Sequence, residues 1–441
     1  MSPPVATLAL LALAGLGCRR PPERHSALLV TLDTTRADAL SCYGNPERTT
    51  PELERLAAEG LCFDGAHTSA PLTLPAHASM LTGLAPPRHG LRVNGEQALA
   101  EEATTLAERA REAGIDAAAF VSAGVLGAAF GLGQGFEPYS VPDPPRAARR
   151  GHGAERPAAE TVGEALAWLA ARDTDRPFFL WVHLYDAHAP HVAPAPFAAR
   201  FSTPYLGEVA SMDRELGRLL AALRANGRER STFVLVVGDH GEAFGEHGEV
   251  EHGLDVFETT LRVPLVGRWP DDDRRRPAGT RSDELVGVID VAPTLAEALG
   301  LAPLPDVDGL SFYSGPLPAS RGLWFESYQG YLERGAAPLA GWMDTRGKYL
   351  HGSPPTWFDW RADPGETRDL LADHARDAEL FRAEMRRLLA APALTPHEPG
   401  DPEARAEVEA LGYGGAAGPL ESFPDPLAPS AAPRAGPRDG D

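Results

Sequence analysis

Ala27-Leu-Leu-Val-Thr-Leu32-Asp33-Thr34-Thr35-Arg36 is the stretch that decides the fold. A short apolar run closed by a polar turn is the signature of a buried parallel strand. It stops on a carboxylate, and the C-terminal end of a buried strand is where open α/β sheets place ligand sites. The pattern returns twice. Pro177-Phe-Phe-Leu-Trp-Val-His183 opens into Leu184-Tyr-Asp186-Ala-His188-Ala-Pro-His191. Ser231-Thr-Phe-Val-Leu-Val-Val-Gly238 runs into Asp239-His240-Gly-Glu242, and a His-rich loop reaching His252 follows. Asp116–Ser122 and Arg262–Val266 read as further strands.

Helices fall between these strands. Thr50-Pro-Glu-Leu-Glu-Arg-Leu-Ala-Ala-Glu-Gly60 carries a Thr cap, a first-position Pro and a Gly stop. Gly207–Leu223 places Val209, Met212, Leu216, Leu219, Leu220 and Leu223 on one face. Leu106–Gly114, Glu160–Ala171 and Val291–Leu299 are also helical. The alternation predicts an α/β protein, its mostly parallel central sheet sandwiched by helices. From Gly309 short antiparallel strands take over, at Leu323–Tyr328, Gly341–Asp344, Lys348–Leu350 and Trp357–Trp360, followed by a helix near Asp377–Leu389. We therefore expect an α/β domain over 26–308, a small α+β C-terminal subdomain over 309–411, and a disordered Pro/Ala/Gly/Asp-rich tail over 412–441.

The chemistry centres on Thr73-Leu-Pro-Ala-His77-Ala-Ser-Met-Leu-Thr-Gly83. Pro75 suits the first helical position and Gly83 the cap, so Thr73 is expected just before a helix N-terminus. Exposed N–H groups and the positive dipole end favour an anionic group there. A hydroxyl at that point can attack a tetrahedral anionic centre once its pKa is lowered. Three strand ends deliver Asp33, His188 with Asp186 and His191, and Asp239-His240, and this stretch adds Thr73 and His77; together the Asp and His residues make a mixed O/N set. It suits Zn²⁺ or Mn²⁺ better than Ca²⁺, which prefers all-oxygen cages. Such an ion beside Thr73 would lower the hydroxyl pKa and screen an incoming anion. One metal is expected, because only Asp186, His191 or His247 could supply another set.

The 441 residues carry a formal charge of −21 and no Lys/Arg run, which argues against nucleic acid as a partner. Cys42 and Cys62, besides Cys18, do not make a disulfide framework. The apolar run Val5–Leu16 is too short to span a bilayer and fits a secretory h-region. It ends at Leu13-Ala-Gly-Leu-Gly-Cys18, which resembles a bacterial lipoprotein signal over residues 1–18. The expected location is outside the cytoplasm, as a lipid-anchored membrane protein of the cell envelope, with a periplasmic or secreted protein as the alternative.

The chain resembles the sulfatase branch of the alkaline-phosphatase superfamily. The pieces that carry the likeness stand in order. They are Leu29–Gly44, Thr50-Pro51, Leu56–Gly60, Pro75–Gly83, Arg88-His-Gly90, Trp181–Pro190, Gly238-Asp-His-Gly-Glu242, Arg262-Val-Pro-Leu265, Asp290-Val-Ala-Pro-Thr294 and Asp363-Pro-Gly-Glu366. The resemblance implies that Asp33, Asp239 and His240 bind a divalent metal together with Thr73. It implies that Thr73 is the nucleophile, and that His188 and His252 hold the anionic head or the leaving group. His77, where the family has arginine, would orient Thr73 or the substrate.

Departures from the family pattern bear on the reaction. Sulfatases oxidise a Cys or Ser at the nucleophile position to formylglycine. Threonine cannot give that aldehyde, because its Cβ bears a methyl, so no formylglycine is expected. The second metal aspartate is Thr34, and the family's Lys-x-His is missing around Val121–Val125. A sulfo-threonine would lack the aldehyde's exit, whereas water can attack a phospho-threonine at phosphorus. Three readings follow: a phosphoesterase or phosphotransferase working through Thr73; a sulfuric ester hydrolase without formylglycine; and a lipoprotein that binds anionic glycans or lipid head groups without turnover. The implied partner is an anionic phosphate or sulfate ester, lipid- or glycan-derived.

Overall fold

Alternation along the central strands assigns their side chains to two faces. In β1 (Ser26–Leu32), Ala27 and Leu29 pack into one core while Leu28, Val30 and Leu32 pack into another. In β5 (Phe178–Leu184) and β6 (Thr232–Gly238) neighbours split the same way: Phe179 and Trp181 against Leu180 and Val182, Phe233 and Leu235 against Val234 and Val236. A strand buried on both faces reads as a continuous apolar run, as these do. The computed structural model describes residues 25–142, 155–172, 176–402, 405, 406, 408 and 423–428. The expected signal segment with Cys18 and most of the expected tail lie outside the described residues. Among the described residues no helix is long and apolar enough to cross a membrane.

The remaining strands of the main sheet are β2 (Leu61–His67), β3 (Asp116–Phe120), β4 (Tyr139–Ser140), β9 (Leu265–Arg268) and β10 (Thr280–Gly287). The eight strands run in the order β10-β2-β9-β6-β1-β5-β3-β4. Only β9 opposes its neighbours, pairing antiparallel with β2 and β6. The helices Thr73–Thr82, Leu106–Glu112 and Val291–Ala298 cover one face, and Pro51–Glu59, Ala158–Ala171 and Pro204–Ala225 cover the other. This is the mostly parallel sandwich that the alternation predicts.

Besides the two-residue β4, two strands escape the apolar-run reading. β2 holds Asp64, Gly65 and His67 among its apolar residues. β10 begins Thr280-Arg-Ser-Asp283 at the sheet edge, largely solvated. Gly65 is needed because a Cβ would lie 2.6 Å from the Glu284 carbonyl of β10.

The C-terminal region forms its own antiparallel sheet. Its strands β11 (Leu323–Ser327), β12 (Leu339–Asp344), β13 (Gly347–His351) and β14 (Thr356–Phe358) pair in sequence order. The helix Ala375–Leu389 lays Ala378, Phe381, Met385 and Leu388 against Trp324, Trp342, Tyr349 and Trp357. A two-stranded ribbon, β7 (Ala243–Phe244) with β8 (Val250–Glu251), completes the set.

Candidate active site

Three adjacent strands, β6, β1 and β5, deliver the site from their C-terminal ends. The ladder continues past them: Asp33 N–H donates to Leu184 O at 2.9 Å and Asp239 N–H to Leu32 O at 3.3 Å. Asp33 and Asp239 are thereby fixed side by side, fully buried. Between them Thr34 takes φ +46°, an uncommon conformation for a β-branched residue. It is held there by neighbours. Its N–H donates to Asp239 Oδ1 at 3.2 Å, and Tyr205 OH donates to its carbonyl at 2.9 Å. Strain kept in place by such contacts is typical of functional sites.

Thr73 is the first residue of its helix, with Leu72 as the N-cap and Pro75 two residues in. The helix thus starts two residues earlier than the Pro75-first reading implies, and Thr73 lies in its first turn rather than before it. Gly83 caps the other end at φ +74°. The Thr73 hydroxyl lies 3.3 Å from Asp33 Oδ2 and 3.3 Å from His240 Nε2, with no surface exposed. His240 donates from Nδ1 to the Gly241 carbonyl at 3.0 Å, so Nε2 carries the lone pair that faces Thr73. Gly241 is required there, since a Cβ would lie 2.1 Å from the Thr259 carbonyl.

His77 is positioned by a relay. Trp181 donates its indole N–H to Thr31 Oγ1 at 3.0 Å, and that hydroxyl lies 3.0 Å from His77 Nε2. With its acceptor side occupied, the hydroxyl donates to Nε2. Nδ1 is then the N–H, donating to the Thr73 carbonyl at 2.8 Å. Burial, followed by the neighbouring His183, holds His77 well below the ordinary histidine value. A neutral His77 thus grips the nucleophile's backbone.

His183 is a site residue that the sequence reading assigned no role. Ser122 N–H donates to its Nδ1 at 3.4 Å, so Nε2 carries the hydrogen toward Asp33 Oδ2, 3.1 Å away. Burial and the charge of Arg156 push it down to about 3. The available signal was its place as the one titratable residue in the apolar run of β5.

Asp33, Asp239 and His240 have ligand atoms within 4.8 Å of one another, as do His77, His183 and Asp239. The orphaned atoms support a cation there. Asp33 Oδ1 and Asp239 Oδ2 are buried with no hydrogen-bond partner. Burial pushes both carboxyls well up, and the charge of Asp33 pushes Asp239 further. Two desolvated carboxylates facing neutral imidazoles are costly unless a cation compensates them. The residues present therefore fit a divalent ion. The donors named for a second set do not assemble: Asp186 accepts from Ala158 N–H, His191 pairs with Glu208, and His247 stacks on Phe257. The further donors near this site are His77 and His183.

His188 and His252 approach from two loops. Their rings are 5.2 Å apart, and the His252 ring is 4.4 Å from that of His240. His188 Nδ1 bonds the Ala189 carbonyl at 2.7 Å, and His252 Nδ1 lies 3.2 Å from Glu242 Oε1. Burial, with His252 adding to it, lowers His188 to about 3. Burial lowers His252 to about 4, and burial raises Glu242 to about 8. Arg36 is neutralised by Asp38 and Glu246. The site therefore combines a buried hydroxyl, two carboxyls and neutral imidazoles.

The sequence model of the Sulfatase family matches residues 26–301. N-acetylgalactosamine-6-sulfatase of Canis lupus familiaris is 29% identical over 431 residues, covering 84% of this chain and 81% of its own length. Arylsulfatase A of Homo sapiens is 28% identical over 443 residues, covering 82% and 86%. The crystal structure of the phosphonate monoester hydrolase of Agrobacterium radiobacter superposes with a TM-score of 0.69. It is 23% identical and covers 83% of this chain and 96% of that one.

Proposed function

The chain belongs to the sulfatase family of hydrolases, and on that premise we propose that it cleaves phosphoesters through a covalent phospho-Thr73 intermediate. The observation that carries the reading is the Thr73 hydroxyl held at 3.3 Å from both Asp33 Oδ2 and His240 Nε2 at a helix N-terminus. Thr73 Oγ attacks phosphorus, the bond from phosphorus to the ester oxygen breaks, and the alcohol departs. Water then attacks phosphorus and frees Thr73. Asp33 accepts the hydroxyl proton through Oδ2 as the first bond forms, the departing alkoxide takes a proton from solvent, and Asp33 returns its proton to Thr73 Oγ as the attacking water loses one of its own to solvent. His188 and His252 face the ester oxygens, and His77 keeps the Thr73 backbone from turning away.

A divalent ion held by Asp33, Asp239, His240 and Thr73, Zn²⁺ or Mn²⁺ by its mixed donors, would lower the hydroxyl pKa and screen the anion. The charge balance favours a monoanionic diester over a dianionic monoester. The surrounding imidazoles are neutral, Arg36 is paired, and the ion would offset only Asp33 and Asp239.

The test is turnover of p-nitrophenyl phosphate, a bis-aryl phosphodiester and p-nitrophenyl sulfate, with and without chelation, by the wild type, Thr73→Ser and Thr73→Ala. We expect diester turnover that chelation and Thr73→Ala abolish and Thr73→Ser partly retains. Full activity in Thr73→Ala would sink the mechanism. The names of the relatives favour a second reading, hydrolysis of sulfate esters such as those on amino sugars, without formylglycine. Preferential release of sulfate would establish that reading instead.

A further inference from the structure

We propose that the outer parts of the loops carrying His188 and His252 form an apolar subsite for an uncharged aromatic or alkyl arm of the substrate. The inference rests on the ester-hydrolase reading above and deepens it. Among the described residues five large apolar side chains are exposed, and three of them lie on these loops: Val192 at 74%, Phe244 at 50% and Val250 at 68%. Exposed apolar side chains scattered singly need no explanation, but a cluster at the rim of a reactive site does.

The two loops are built alike, with a histidine inside and apolar groups outside. Phe244 and Val250 face each other across the β7–β8 ribbon. At the ribbon's inner end Glu242 bonds His252, whose ring meets that of His188. From His188 the chain passes to His191, whose ring is 5.8 Å from Phe244, and then to Val192. These positions are firmly supported. The Val192 N–H and the His191 ring both bond Glu208, and Tyr205 and Arg36 pack on the Phe244 ring at 4.9 and 5.6 Å. The guanidinium on this rim is already paired with Asp38 and Glu246, so a second anionic group on the substrate would find no uncompensated cation there. An uncharged apolar arm fits this surface best. Covering roughly 60 Å² of apolar surface corresponds to about ten-fold in affinity.

The test is calorimetric binding of methylphosphonate, benzylphosphonate and galactosamine 6-sulfate to the full chain and to Phe244→Ser/Val250→Ser. Both phosphonates lack an ester, so binding is read whether or not Thr73 chemistry operates. Turnover by Thr73→Ala judges that chemistry separately. We expect benzylphosphonate to bind about ten-fold tighter than methylphosphonate to the wild type. The preference should fall to within about two-fold in the variant, with methylphosphonate binding unchanged. Both substitutions are at exposed positions outside the core. Equal binding of the two phosphonates by the wild type, or a preference that survives in the variant, would overturn the proposal. So would tighter binding of the sugar sulfate than of benzylphosphonate, which would assign the rim to a glycan.

Discussion

Replacing Lys348 by Met probes the junction between the two sheets. Lys348, on β13, lies 2.8 Å from Glu366 Oε1 and 3.3 Å from Glu258 Oε1. Glu258 in turn pairs with His67 of β2 at 2.8 Å, and its N–H donates to Glu366 at 2.7 Å. All four side chains are buried. Burial alone would raise the Glu258 carboxyl, but the charges of His67 and Lys348 outweigh it and hold it at about 2. Burial raises Glu366 to about 7, with Lys348 opposing the shift and Glu258 adding to it. Removing one partner of such a buried pair leaves charge uncompensated and costs about 3–5 kcal/mol.

The cost depends on pH through Glu366. Its folded pKa lies above its ordinary value of 4.5. Its contribution to stability is therefore full below that value and is lost as pH rises through about 7. At pH ~5.5 Glu366 is already protonated with Lys348 in place, so losing Lys348 costs only about 1–2 kcal/mol, against about 3–5 at pH ~8, where the carboxyl is ionised and loses its partner. Urea unfolding followed by tryptophan fluorescence reads this region directly, because Trp324, Trp342, Trp357 and Trp360 surround the C-terminal sheet. A penalty below about 1 kcal/mol at pH ~8, or one equal at both pH values, would refute the account. Glu258 also starts the short helix Glu258–Leu261, whose Thr260 carbonyl receives the Gly241 N–H at 2.8 Å. Loss of the cluster should therefore lower activity as well as stability.

Two further predictions concern the site. Thr34→Asp should raise divalent-ion affinity at least about ten-fold by calorimetry, because it adds a carboxylate beside Asp33 and Asp239 at a φ that Asp tolerates better than Thr; weaker ion binding would contradict the placement of the cation. Thr31→Val removes the hydroxyl bonded to His77 Nε2 and should lower kcat about ten-fold with KM little changed; an unchanged kcat would mean that the Trp181–Thr31–His77 relay does not position Thr73.

The parts of this protein legible in its sequence were those where one physical rule acted alone. β1, β5 and β6 are buried on both faces, so their composition announces them and their ends locate Asp33 and Asp239. β2 and β10 were not legible. One must leave room for a neighbouring carbonyl at Gly65 and the other is half solvated, so neither shows a plain period. The helix at Thr73 was visible but its start was displaced. Pro75 tolerates any position in the first turn, Leu72 offers no side-chain cap, and the Leu74 N–H is instead satisfied by the distant Asn94 Oδ1 at 2.9 Å.

The site shows a similar division. Residues next to a strand end in sequence could be named, whereas His183 needed the β1–β5 register, which sets Thr31 beside it and brings its ring to Asp33. That register also bounds the space that His77 fills. The space beside Thr73 is bounded by Thr31, Trp181 and His183, and the His77 ring fills it against Trp181 at 5.4 Å and His183 at 5.0 Å. A guanidinium there would bring a permanent charge into a pocket whose other imidazole is held neutral at about 3. On the phosphoester reading, a neutral ring at position 77 lowers the positive charge offered to the substrate and suits a monoanion attacked by a hydroxyl that carboxylate and imidazole already grip.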